Sequence, residues 1–220
     1  MKIKMLFPTF LLLFGFAFGA NAAPLQINFT GSISTAGTFS DPTGLFAQGD
    51  ALSGFWLVDP FTADDDPDPT RGQYVHAGTP AFQINIGSSV FQANSTTIQI
   101  LDDHTLGLGT IDAYDVLGEG SRVSTVDGFT IKQMQVTLRD TQLPLDALSS
   151  DALPAGAPDP AAFDQFGQVQ GQLIGDYNNE DFFLNFEIAR VSAVPIPAAA
   201  WLFGTALAVF AGISRSRKPA

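Results

Sequence analysis

The side chains best suited to chemistry in this chain are carboxylates. Asp64, Asp65, Asp66 and Asp68 place four acids in five positions around Pro67, and charges so close repel one another unless a cation sits among them. Calcium takes six to eight oxygens, so the segment has donors for part of a calcium site that distant groups would complete. It is not an EF-hand loop, because the glycine and the closing glutamate of that loop are missing; the other reading is a solvated acidic loop. Residues 176–181 (DYNNED) form a second oxygen-rich stretch with the same two readings.

Other chemistry is sparse. His76 and His104 are the only histidines, and neither stands in a triad-like context; His104 follows Asp102 and Asp103 in a turn-like segment and is expected at the surface. No GxSxG, HExxH or P-loop pattern occurs. Glycoside hydrolysis needs two suitably spaced carboxylates, which leaves room for Glu119, Glu180 and Glu187 among the 22 acids. Trp56 and Tyr74 are aromatics that could stack on sugar rings, although Trp56 lies in an apolar strand pattern and fits a core position better. With no cysteine, disulfides, thiol nucleophiles and zinc–thiolate sites are excluded. No catalytic residue or cofactor is assigned, and the chain is expected not to be an enzyme.

Charge is divided along the chain. All 22 acidic residues lie between positions 41 and 187, while Lys2, Lys4, Arg215, Arg217 and Lys218 hold half of the ten basic ones near the ends. The middle sets the remaining five bases against 22 acids, a balance of −17 beside −12 for the whole chain. Such a field repels phosphate backbones and anionic lipid, so nucleic acid is not an expected partner.

The elements that would position these groups read as short strands. Leu25, Ile27 and Phe29 alternate with polar residues in a first strand, and Phe182, Leu184, Phe186 and Ile188 do so in a last one. Residues 81–93 read as a hairpin turning at Gly87-Ser88, a Gly-first pair suited to a type II′ turn. Between positions 129 and 138 the apolar phase slips by one, the mark of a β-bulge. Further strands are predicted over 51–58, 97–101, 114–117 and 169–174, with loops over 59–72 and 143–160. Eight to ten short strands without a helical period predict an all-β domain, an antiparallel β-sandwich of jelly-roll type, spanning residues 23–193.

Both ends read as addresses. Lys2 and Lys4 precede an uncharged run over residues 6–19, followed by Ala20-Asn21-Ala22, the n-region, h-region and A-x-A site of a secretory signal peptide over residues 1–22. Signal peptidase would cut before Ala23. At the other end residues 198–213 (AAAWLFGTALAVFAGI) include Ala198, Trp201, Gly204, Phe210 and Ile213 and carry no charge. Sixteen residues at 1.5 Å each make about 24 Å of helix, just short of a ~30 Å hydrocarbon core. Arg215, Arg217 and Lys218 follow as a basic stop-transfer cluster that holds the C-terminus in the cytoplasm. Charge at each end therefore predicts residues 23–193 on the outer side of the inner membrane.

The order Val194-Pro195-Ile196-Pro197-Ala198, then the apolar run, then Arg215-Ser216-Arg217-Lys218, resembles the PEP-CTERM sorting signal in its VPLPA-type variant, with Ile196 where the name-giving glutamate would stand. The resemblance covers residues 194–220. It implies a substrate of an exosortase, a membrane-embedded protease of Gram-negative bacteria that make extracellular polysaccharide. It further implies tethering at the inner membrane facing the periplasm, then display at the cell surface or in a biofilm matrix in association with exopolysaccharide. The two prolines disfavour helix, which predicts an extended segment outside the membrane. A carbohydrate-active enzyme with paired carboxylates and a calcium-dependent adhesin or binding module are the alternatives for the middle.

Overall fold

Alternation of apolar and polar residues along the chain becomes alternation of inside and outside. The computed structural model describes residues 24–35, 39–107, 109–163 and 170–195. They form eight strands: β1 (Leu25–Ile33), β2 (Ala51–Val58), β3 (Arg71–Ile86), β4 (Ser89–Leu106), β5 (Gly109–Ser124), β6 (Phe129–Asp140), β7 (Gly171–Tyr177) and β8 (Glu180–Pro195). Each pairs antiparallel with the next, and β8 returns to β1 over Leu25↔Pro195 through Ile33↔Phe186, closing a barrel.

The all-β, antiparallel expectation holds, but the jelly-roll sandwich does not. A jelly roll needs the long crossing connections of two Greek keys, whereas every ladder neighbour here, apart from the closing β8–β1 pair, is also the neighbour in sequence. Alternating strands serve a sandwich and a barrel equally well, so their pattern does not report closure. The expected C-terminal helix and the signal peptide lie outside the described residues.

Local signals fare better. The 81–93 hairpin forms with Ile86 opposite Ser89, and Gly87 takes the positive φ (+57°) that starts a type II′ turn. The predicted bulge is the register shift between Ile131 and Gln133. The 59–72 loop is two residues shorter than expected, since Arg71 and Gly72 open β3, and β5 runs well beyond 114–117.

The bore of the barrel is filled by rings. Phe29, Trp56, Phe82, Phe91, Tyr114, Phe182 and Phe186 are all fully buried; Phe29 packs on Trp56 at 5.6 Å and stacks on Phe186 at 6.4 Å between centroids. Trp56 Nε1 donates to Tyr114 Oη at 3.3 Å, so both polar tips are satisfied inside. Inward-facing glycines make the room: a Cβ on Gly54 would lie 2.3 Å from the Phe29 ring and 2.2 Å from the Gln83 carbonyl oxygen.

Both rims are stoppered. At one, Phe46 from the β1–β2 connection meets Phe91 and Phe182 at 6.1 and 5.8 Å. At the other, residues 141–163 fold inward, bringing Leu148, Leu153 and Phe163 onto the core. The outer wall is polar by contrast. Gln26, Asn28, Gln83, Asn85 and Gln92 are outward and half-buried, and their amides hydrogen-bond along and across strands, as from Gln92 to Gln83 at 2.7 Å. An apolar bore with a polar wall is the reverse of a barrel that crosses a membrane, whose lipid-facing band is apolar.

Replacing Gly54 with Ala should lower stability by about 1–3 kcal/mol, the usual cost of overpacking, because the new methyl meets backbone as well as a ring. Thermal unfolding checks it, and an unchanged midpoint would show that Phe29 can move aside.

Candidate functional site

The acidic segment is built into the wall rather than held open. Asp64, Asp66 and Asp68 each accept the backbone N–H two residues on, from Asp66, Asp68 and Thr70 at 2.9–3.0 Å. Asp64 also accepts from Gln73 N at 2.8 Å, and Asp65 N donates to Gln73 O at 2.9 Å. The segment thus pairs with β3 at Gln73, in a stretch with no partner in β2, and covers there what would otherwise be a bare strand edge. Arg71 Nε closes the run on Asp66 Oδ2 at 2.6 Å. That hydrogen bond holds the Asp66 carboxyl below the ordinary carboxylate range, and the Thr70 backbone N–H does the same for Asp68. Among the described residues no three His, Asp or Glu side chains converge to hold a metal.

The second oxygen-rich stretch is a hairpin turn. Asn178 and Asn179 both take positive φ (51° and 70°), as a type I′ turn demands. The facing Asp176 and Asp181 are bridged by Lys132 Nζ at 2.6 and 3.6 Å.

Two aspartates that sequence reasoning passed over do structural work. Asp112 and Asp140 lie opposite each other on β5 and β6 and are almost completely buried. Asp112 accepts the N–H groups of Asp103 and Leu148 at 2.9 and 3.0 Å; Asp140 accepts those of Gln142 and Asp146 at 3.2 and 3.4 Å. The carboxylates staple the 141–163 stopper to the rim by satisfying its backbone. Nearby Asp102 is pushed up, first by burial and then by Asp112, Asp103 and Asp151.

The histidines land apart. His76 is buried, its Nδ1 accepting Asp59 N at 3.3 Å beside Thr62 Oγ1 at 3.2 Å, and burial lowers its pKa so that the neutral ring is favoured. His104 is not in a turn but near the end of β4, half-buried, with Nδ1 2.8 Å from Thr70 Oγ1. Trp56 and Tyr74 are 0% and 4% exposed, so neither is available to stack on a sugar; Tyr74 Oη instead donates to the Asp151 carbonyl at 3.0 Å.

The outer wall over β5, β6 and β7 carries a polar shelf that no motif announced. Its depression, about 190 Å³, is lined by Gln135, Thr137, Arg139, Gly171 and Gln172. Asp115, paired in register with Gln99 and Thr137, sits beneath at 6% exposure. Its Oδ2 is 3.6 Å from Arg139 Nη2, while Asp115 Oδ1 and Arg139 Nε are buried without hydrogen-bond partners. Burial raises the Asp115 carboxyl, offset in part by Arg139 and the Thr137 hydroxyl. A larger groove, about 420 Å³, lies beside the register shift between β1 and β8, with Asn28, Thr30, Asp159 and Arg190 among its walls.

Of the expected sorting motif, Val194 and Pro195 are the last residues of β8, paired with Gln26 and Leu25. The first two motif positions are therefore extended, as expected, but they belong to the barrel ladder. Ile196, Pro197 and Ala198, the apolar-run residues Trp201, Gly204, Phe210 and Ile213, the basic Arg215, Arg217 and Lys218, and the expected cleavage residues Ala20, Ala22 and Ala23 lie outside the described residues. Among the described residues no helix is long and apolar enough to cross a membrane.

The fold defines a closed up-and-down barrel with a filled bore. Comparison with protein-family models, with curated proteins and with solved structures finds no match.

Asp112→Ala should cost about 1–3 kcal/mol through the amides it leaves unpaired and speed proteolytic nicking within 141–163; a wild-type nicking rate would deny the staple. Because Asp66 and Asp68 titrate below their unfolded values, their contribution is complete above the ordinary carboxylate range and is lost as pH falls through the lowered values. The amide resonances of Asp68 and Thr70, whose N–H groups Asp66 and Asp68 accept, should accordingly shift only below about pH 4, and movement of both at neutral pH would contradict the lowered carboxyls.

Proposed function

We propose that this chain is an exported, surface-sorted, non-enzymatic protein associated with extracellular polysaccharide or a biofilm matrix. On this reading a signal peptide starts export, residues 198–213 tether the product at the inner membrane facing the periplasm, and an exosortase-type protease acts at the Pro motif. The observation that supports it best is the filled bore within an amide-rich wall. Small barrels that hold a ligand keep interior space for it, whereas here rings and stoppers occupy the inside, so recognition falls to the outer surface. Amides donate and accept together, which suits a hydrated, hydroxyl-rich polymer. Leu25 and Pro195 are also paired neighbours on one rim.

The test is fractionation of an exopolysaccharide-producing Gram-negative host that has an exosortase. The full chain should be recovered with the surface polysaccharide, its mass placing the new C-terminus after Pro195, while a version ending at Pro197 should stay in the periplasm. Full-length chain confined to the inner membrane would overturn the reading. New reducing ends on a polysaccharide panel would replace it with the enzyme reading, and retention that needs calcium with the adhesin reading.

A further inference from the structure

We infer that the shelf over β5, β6 and β7 is a binding site for one unit of a neutral, hydroxyl-rich glycan, held between Asp115, Arg139, Gln135 and Gln172. Three observations carry it. The first is the state of the charge pair. Asp115 is 6% exposed, yet its partner stands at 3.6 Å, beyond hydrogen-bond length, and each side keeps one buried atom without a partner, Oδ1 on the acid and Nε on the base. Buried polar groups are nearly always satisfied, and each exception calls for a reason. A hydroxyl is both donor and acceptor, so adjacent hydroxyls can donate to the carboxylate and accept from the guanidinium at once. Arg139, whose side chain is 42% exposed, is the group free to lift as the guest enters.

The second is the direction of the surrounding amides. Gln133 Nε2 donates to Gln135 Oε1 at 2.6 Å and reaches Gln172 Oε1 at 3.4 Å, and Gln135 Nε2 donates to Thr137 Oγ1 at 2.7 Å. The relay runs toward Asp115 and fixes the amide planes along the depression, so the polar groups are oriented before a guest arrives. The third is what the site turns away. A balance of −17 over the middle of the chain disfavours polyanions, Gln135 is paired on both sides, with Leu117 and Gln172, so the sheet at the shelf offers no free strand edge to a peptide, and about 190 Å³ is below the ~300–1,000 Å³ of drug-sized sites. One sugar unit of an uncharged polymer is the guest that remains, and repetition along the polymer would add avidity to a weak single contact.

The inference draws its class of partner from the matrix reading but is tested apart from it. The mature protein, purified from cells in a detergent without sugar, is run through native gels containing neutral glucan or galactomannan, or the uronate-bearing alginate. Retardation by a neutral polymer and not by alginate is expected, weakened about fivefold in each of Gln135→Ala, Gln172→Ala and Arg139→Gln, the equivalent of one lost hydrogen bond. Gln83→Ala, on another part of the wall, should leave it unchanged. No retardation by any neutral polymer overturns the site, as does retardation that all three shelf variants keep. Absence of the protein from the matrix fraction, by contrast, counts against the matrix reading alone.

Discussion

Rings set against glycines decide the bore of this barrel. Phe29 lies over Gly54, Phe82 over Gly118, Phe186 over Gly171 and Phe129 over Gly175, each ring occupying the space a Cβ would need. Eight strands enclose an interior just wide enough for side chains to fill, and bulky rings fit only where the opposing wall gives way. The wealth of phenylalanine and glycine in the composition is one requirement seen from its two sides. Among the described residues the interior is thus a packed core of side chains.

The acidity of the chain then divides into distinct structural tasks. Asp64, Asp66 and Asp68 tie a loop over a strand edge; Asp112 and Asp140 pin the stopper of one rim by its backbone N–H groups. In a protein without cysteine these carboxylates do part of what cross-links do elsewhere, fixing long connections to a rigid wall. Asp115 stands apart, since its buried oxygen meets no backbone donor.

Much of the wall was legible in the sequence, and closure was not. Alternation at positions 25–30 and 182–188, the Gly87-Ser88 turn and the slip near Ile131 all reflect chemistry within a few residues. Whether β8 meets β1 depends on contacts about 160 residues apart, which no local pattern encodes. The strand ends were blurred for a related reason: Arg71 and Gly72 join β3 because they pair with Leu101 and Ile100 of β4, a partner about 30 residues away. The shelf was invisible because its residues come from three strands, Asp115 from β5, Gln135, Thr137 and Arg139 from β6 and Gln172 from β7, and only register makes them neighbours. A period-two reading marks each as outward and polar and says nothing of which others it faces.

The seam between β1 and β8 joins the first strand to be synthesised with the last. A ribosome delivers Leu25 long before Val194, so β1 must wait with one side unpaired while the sheet grows from β2 onward, exposed to any competing strand in the meantime. The barrel becomes a barrel only when residues 186–195 arrive. Completion of the ladder therefore waits on β8, without which β1 and β7 each keep an unpaired edge.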